Sequence, residues 1–150
     1  MMRAVIQRVK SARVEVNKRI IGKIDKGILI FLGIGNEDTK KDCEYIAKKI
    51  ANLRIFEDEK ELMNLSLMDI EGSALVVSQF TLWGDCRKGR RPSYMRAARP
   101  ELAKSMYEYF IDILRETGME VDTGEFQETM DVHLINDGPV TILLDSSKTF

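Results

Sequence analysis

Histidine is almost missing from this chain: His133 is the only one. A Ser-His-Asp arrangement therefore has a single candidate base, and a strand's period of two turns that base away from Met130, Val132 and Leu134. Cysteine is scarce as well. Cys43 and Cys86 are the only two, and their spacing suits neither a zinc site nor a redox pair. Cys43 reads as a core residue and Cys86 as a thiol in a basic loop. No cluster of His, Cys and carboxylates has metal-ligand spacing. Gly33-Ile34-Gly35 lacks the third glycine of a dinucleotide site, and no phosphate-binding loop motif occurs. No metal and no cofactor is therefore expected. No apolar run is long enough to span a bilayer and no secretory segment opens the chain, so a cytoplasmic protein without a membrane partner is the simplest reading. An enzyme built from this inventory must work with few titratable side chains, through placement and backbone hydrogen bonds.

What is present suits one domain over residues 1–150, large enough to bury roughly two-thirds of its unfolded surface. Hydrophobic residues make up 44% and charged residues 31%, with a net charge of -1. That total argues against a protein that coats itself in nucleic acid, but its distribution is uneven. Residues 84–99 hold Arg87, Lys88, Arg90, Arg91, Arg96 and Arg99 against one acid, Asp85. The stretch to Lys26 is also basic, whereas the segment after Arg115 is mostly acidic. Such a patch is either a solvated loop or a polyanion contact.

In chain order, Arg3 to Lys10 alternates as a strand and places Arg8 on one face with Ala4 and Ile6. Two more short strands, Arg13 to Asn17 and Arg19 to Asp25, flank Asn17-Lys18. Ile28 to Ile34 is a nearly unbroken apolar run, the pattern of a strand covered on both sides. Asp38 to Leu53 has helical spacing, with Cys43, Ile46, Ala47, Ile50 and Leu53 on one stripe and Asp38 as N-cap. A short strand at Arg54-Ile55-Phe56 follows, while Leu62 to Met68 has no clear pattern. A second helix starts at Pro100 and closes at Gly118, burying Leu102, Ala103, Met106, Phe110, Ile113 and Leu114. Two strands, Glu128 to Ile135 and Val140 to Leu144, flank a tip at Asn136-Asp137-Gly138-Pro139. The fold class is mixed α+β: largely antiparallel or mixed curved sheets with two packed helices.

Two stretches carry the chemistry. Leu75 to Asp85 begins as a buried strand and then turns polar. Continued as a regular strand, it puts Gln79 and Thr81 on one face and Ser78 and Phe80 on the other. Buried without partners, each polar side chain would cost about 1–3 kcal/mol, so they either bond neighbouring backbone or line a site. In the tip, Gly138 lets backbone approach another group closely and Pro139 donates no hydrogen bond. Composition alone reads it as an ordinary hairpin turn.

Ser78-Gln79-Phe80-Thr81-Leu82 together with Asn136-Asp137-Gly138-Pro139-Val140-Thr141 resembles the D-aminoacyl-tRNA deacylase family. The likeness extends through Ile6-Gln7-Arg8-Val9, Arg54-Ile55-Phe56, Met63-Asn64-Leu65, Arg91-Pro92-Ser93 and Met130, and so over nearly the whole chain. Trp83 stands where that family is variable. The resemblance implies the family's fold and a homodimer acting on the acceptor end of aminoacyl-tRNA. Its reaction would be hydrolysis of a D-aminoacyl ester, with glycyl-tRNA mischarged on tRNA(Ala) as a further substrate. It implies a cis Gly138-Pro139 bond whose tip enters the partner's pocket and rejects L side chains by collision. Arg8 would brace that tip and Met130 would lead into it. The backbone N–H of Phe80, and that of Thr81, would stabilise the oxyanion, with Gln79 shaping the pocket and Ser78 as an accessory. A ribose hydroxyl of the substrate would orient the water. Arg87, Lys88, Arg90 and Arg91 would contact phosphates.

Two other readings of the same residues stand beside this one. An esterase or peptidase would use Ser78 or Thr81 as a covalent nucleophile, although no base is visible to activate either. A dimeric RNA-binding module without catalysis would use the Gly-Pro tip as an assembly hook.

Overall fold

Strand β1 (Arg3–Val16) is the spine of the molecule, and three other strands pair with it, all antiparallel. In this computed structural model all 150 residues are described. The first half of β1 lies between β3 (Gly27–Gly33) and β8 (Asp131–Asp145); its second half lies between β2 (Arg19–Ile24) and β8. Residues 13–16 therefore continue β1 rather than forming the separate strand expected. Asn17 and Lys18 form the turn with φ of 51° and 64°, the left-handed pair whose twist suits a tight hairpin.

Beyond β3 the sheet becomes parallel. β6 (Ser73–Ser78) runs beside β3, and β7 (Glu120–Thr123) runs beside β6. The sheet curls far enough for its ends to meet, and the Lys23 N–H on β2 donates to Asp122 Oδ2 on β7 at 2.8 Å. Both faces of the central strands are consequently buried. Ile28, Ile30, Leu32, Ala74 and Val76 face the larger core under the helices, whereas Leu29, Leu75 and Val77 face a smaller core inside the curl. This is why β3 reads as a continuous apolar run.

Helices α1 (Lys40–Asn52) and α2 (Pro100–Glu116) cover the larger core. α1 buries Cys43, Ile46, Ala47 and Ile50 as expected, with Leu53 half-buried just past its end. α2 buries Met106, Phe110 and Leu114 together with Tyr107 and Ile111, leaving the expected Leu102, Ala103 and Ile113 only half-buried. Gly118 follows α2 with φ 89°, and Pro100 opens it. The cap of α1 differs from expectation. Thr39 is the N-cap, in a reciprocal capping box with Asp42. Asp38 is instead buried; it accepts the Gly35 N–H at 2.7 Å and pairs with the terminal amine. Burial raises its pKa, partly offset by that amine. A small ribbon of β4 (Phe56–Glu57) and β5 (Met63–Leu65) fills the region with no clear pattern. Arg54 and Ile55 lie just before β4 rather than within it.

The last strand corrects the hairpin reading. The two halves of β8 do not pair with each other; both pair with β1, one after the other. Asn136 stands opposite Val9 and Thr141 opposite Gln7, so the residues between them leave the ladder as an extruded loop.

The cysteines differ in accessibility. Burial, reinforced by the nearby carboxylates of Asp38, Asp42 and Glu44, pushes the Cys43 thiol up to about 12, whereas Cys86 is exposed. Iodoacetamide is therefore expected to alkylate Cys86 alone in the native protein and both thiols in urea. Comparable native labelling of Cys43, read by peptide mass spectrometry, would contradict the packing of α1 on α2.

Candidate functional site

The regular strand ends at Ser78, so residues 79–85 do not alternate as expected. Gln79 leads into a 3-10 turn, Phe80–Trp83, that turns the chain out of the sheet. The first internal bond of this turn runs from the Leu82 N–H to the Gln79 carbonyl. The N–H groups of Phe80 and Thr81 stand ahead of it, in the position where a helical turn leaves donors without internal acceptors. The Gln79 side-chain amide donates to the Thr81 hydroxyl.

Ser78, Gln79 and Phe80 form one wall of a cleft of about 730 Å³. Tyr94, the start of α2, Phe126 and Met130 line the rest of it. The Phe80 ring is 57% exposed and meets Tyr94 edge-on at 5.1 Å. Such a cavity, apolar with a few convergent polar groups, is the usual form of a small-ligand site. Tyr94 and Phe126 escaped the sequence reading. For Tyr94 a signal existed, an aromatic placed among the arginines of a basic loop; nothing local marks Phe126.

The structure thus gathers Ser78, Gln79, Phe80 and Met130. The Thr81 side chain is exposed and engaged by Gln79, and it does not line the cleft. His133 lies elsewhere on the surface, where its Nε2 meets Glu15 Oε2 at 2.9 Å and its Nδ1 lies 3.3 Å from Arg13 Nη2. No group of three or more His, Cys, Asp or Glu side chains is placed to hold a metal ion.

Gly138 and Pro139 occupy the extruded loop of β8, joined by a cis peptide bond and exposed. They take no part in the cleft of their own chain. The loop is held from both sides. Asn136 Oδ1 accepts the Val140 N–H at 3.0 Å and its Nδ2 donates to Thr141 Oγ1 at 3.1 Å. Beneath it, Arg8 is only 6% exposed. Its Nη1 donates to the Ile55 carbonyl at 2.8 Å and its Nε to the Asp137 carbonyl at 3.0 Å. The carboxylates of Asp137 and Glu57 lie 3.6 and 3.8 Å from the guanidinium. A buried charge is tolerated where its donors are matched in this way.

The basic loop is closed at its base by reciprocal backbone bonds between Asp85 and Ser93, at 2.8 and 2.9 Å. Arg87, Lys88, Arg90 and Arg91 are exposed above that bridge. Arg87 grips Asp85 through Nε at 2.9 Å and Nη2 at 2.7 Å, which holds the Asp85 carboxyl down at about 2.

The profile of the D-Tyr-tRNA(Tyr) deacylase family matches residues 5–145. A D-aminoacyl-tRNA deacylase of Thermosipho melanesiensis is 62% identical over 150 residues, covering 99% of this chain and 100% of the relative. One from Clostridioides difficile is 60% identical over 149 residues with the same coverage. Among solved structures, a c-Myc DNA unwinding element binding protein superposes with a TM-score of 0.90 at 43% identity, over 95% of this chain and 97% of that one. A probable eukaryotic D-amino acid tRNA deacylase, at 17% identity and a TM-score of 0.83 over 96% of this chain and 98% of that one, shares the fold. With full-length relatives at this identity and a matching profile over nearly all its residues, the chain belongs to the D-Tyr-tRNA(Tyr) deacylase family and is a hydrolase.

Proposed function

We propose that this protein hydrolyses the ester between a D-amino acid and the terminal ribose of tRNA, releasing the free amino acid and tRNA in the cytoplasm. The observation that carries the stereochemical part is the Gly138-Pro139 tip. It is exposed, extruded from its strand, braced by Arg8, and takes no part in its own chain's cleft. In a homodimer each tip enters the partner's cleft and sets main chain against the substrate's α-carbon. An L side chain collides with that wall; a D side chain or the hydrogen of glycine does not. Selection by collision reads handedness without reading side-chain identity, which also admits glycyl-tRNA mischarged on tRNA(Ala).

An aminoacyl ester is already activated, so the protein's task is to orient water and stabilise the developing oxyanion. The Phe80 N–H, assisted by that of Thr81, donates to it, and one such donor contributes about 2.7–4 kcal/mol. Gln79 holds Thr81, which positions rather than attacks. The ribose 2′-hydroxyl of the substrate orients the water. Arg87, Lys88, Arg90 and Arg91 meet acceptor-stem phosphates.

Matched assays on D- and L-tyrosyl-tRNA test the reading, with release from the D ester alone as the expected result. Equal rates on both would remove the chiral wall. An acyl adduct on the wild type, lost in Thr81→Ala, would establish the covalent alternative. Release from neither ester would leave a nucleic-acid-binding module, a reading kept in view by the exposed arginine loop and by the DNA-binding name of one structural neighbour.

A further inference from the structure

Trp83 is 4% exposed and its indole is covered by two arginines from distant parts of the chain. The Arg3 guanidinium lies 4.2 Å from the ring centroid and that of Arg96 lies 5.2 Å from it. Neither arginine makes an ion pair with a carboxylate. Arg3 spends one donor, Nη1, on the Leu82 carbonyl at 2.8 Å. The side chain of Arg96 makes no hydrogen bond within the protein. Between them opens a pocket of about 290 Å³ that also includes Asp85 and Arg87. Asp85 is its one acid, and Arg87 already occupies both of that carboxylate's oxygens. The pocket therefore presents three guanidinium groups, those of Arg3, Arg87 and Arg96, against the single carboxylate of Asp85, whose field reaches Arg96 as well as Arg87, so a net positive charge remains. Stacking on an indole fixes a guanidinium in place and leaves its charge and most of its donors available.

We propose that this pocket binds a backbone phosphate of the substrate's acceptor strand, close behind the nucleotide held in the cleft. Two arginine forks converging on one concavity are the recognised geometry for a phosphate. The location fits as well. Trp83, which lines the pocket, and Phe80, which lines the cleft, are the two ends of one 3-10 turn that rises roughly 6 Å at about 2 Å per residue. Arg3 also holds the carbonyl of Leu82 in that same turn. A phosphate drawn onto Arg3 thus aligns the strand with the turn that carries the Phe80 and Thr81 N–H groups. This assignment rests on the deacylase reading. It differs from the loop-tip contacts in naming Arg3 and Arg96, which line this pocket, rather than Arg90 and Arg91, which do not.

The test compares D-tyrosyl-tRNA with the D-tyrosyl ester of adenosine, which carries no phosphate, on wild type, Arg3→Gln, Arg96→Gln and the double variant. In the double variant the preference for tRNA, as a ratio of kcat/KM values, is expected to fall about tenfold, through KM, while the slope of log affinity for tRNA against log salt loses about 0.7 per side chain. Arg96→Lys should recover the slope, since it restores the charge. Melting curves identify a variant that fails to fold; Arg96 is exposed, and its single variant then carries the test. An unchanged slope and preference overturn the proposal, including the case in which inorganic phosphate alone binds. Equal losses on both esters also overturn it, making the arginines braces of the turn. If wild type hydrolyses neither ester, the deacylase reading fails separately, and the salt slope of tRNA binding still decides the pocket.

Discussion

In Gly138→Ala, hydrolysis of D-tyrosyl-tRNA is expected to drop on the order of a hundredfold, the cost of misplacing a positioning group by about an ångström. Gly138 has φ of 128°, a region that an L side chain enters only with strain of about 1–3 kcal/mol. The added Cβ would lie 2.9 Å from Val140 Cγ2 and 3.0 Å from Arg8 Nη2. Arg8 cannot give way freely, because the Ile55 and Asp137 carbonyls hold it. The tip must therefore move. The β1–β8 ladder need not follow, since Gly138 lies between the paired positions Asn136 and Thr141. Sedimentation should consequently give the same oligomeric state as wild type, a dimer under the proposed reading, and the melting temperature should shift by only a few degrees, about 2–4 °C per kcal/mol at this size. A full rate with D ester would mean that the tip never reaches the substrate. Loss of rate together with loss of the dimer would make Gly138 an assembly residue instead.

Local pattern carried much of the architecture, and its failures share a cause. The apolar run at Ile28–Ile34, the stripe of the first helix and the Pro100 and Gly118 boundaries are properties of short windows, and each reappears in the structure, while the stripe of α2 reappears turned toward Tyr107 and Ile111. Pairing partners are not local. Residues 128–144 look like a hairpin because a turn-rich tip separates two strands. Nothing in those residues records that β1 is long enough to pair with both halves in succession. Likewise Asp38 has the chemistry of a cap, but the terminal amine and the Gly35 N–H compete for it, and Thr39 takes the cap.

The site shows the same division. Alternation put Arg8 on an apolar face and so marked it as unusual, yet its acceptors, Ile55 and Asp137, are far away in sequence. The polar residues after Val77 were legible as a change of role. They mark the end of the strand at Ser78, where a 3-10 turn begins, rather than a strand that stays regular. Trp83 was passed over as a variable position; only the fold brings Arg3 and Arg96 onto its ring.

Phe110→Ala should act on stability, by about 3–5 kcal/mol, lowering the melting temperature on the order of 10 °C. Phe110 has no exposed surface and sits in the larger core, where α2 meets α1 and the sheet. Truncation removes the ring's transfer free energy and leaves a cavity that close-packed neighbours such as Ile46, Ile50 and Leu114 fill only in part. The effect on chemistry should be small well below the melting temperature. The cleft takes its α2 wall from Pro100 and Ala103 at the other end of the helix, and the preference for D over L ester should survive in the folded fraction. Glu108→Ala, on the exposed side of the same helix, supplies the control, with an expected change within about 0.5 kcal/mol. Urea titrations of both variants separate the outcomes. A midpoint for Phe110→Ala equal to that of wild type would mean that the ring is not packed between the helices. A lost D/L preference in protein that is still folded would mean that the helix core and the cleft are mechanically coupled, so that packing at Phe110 sets the shape of the wall at Ala103.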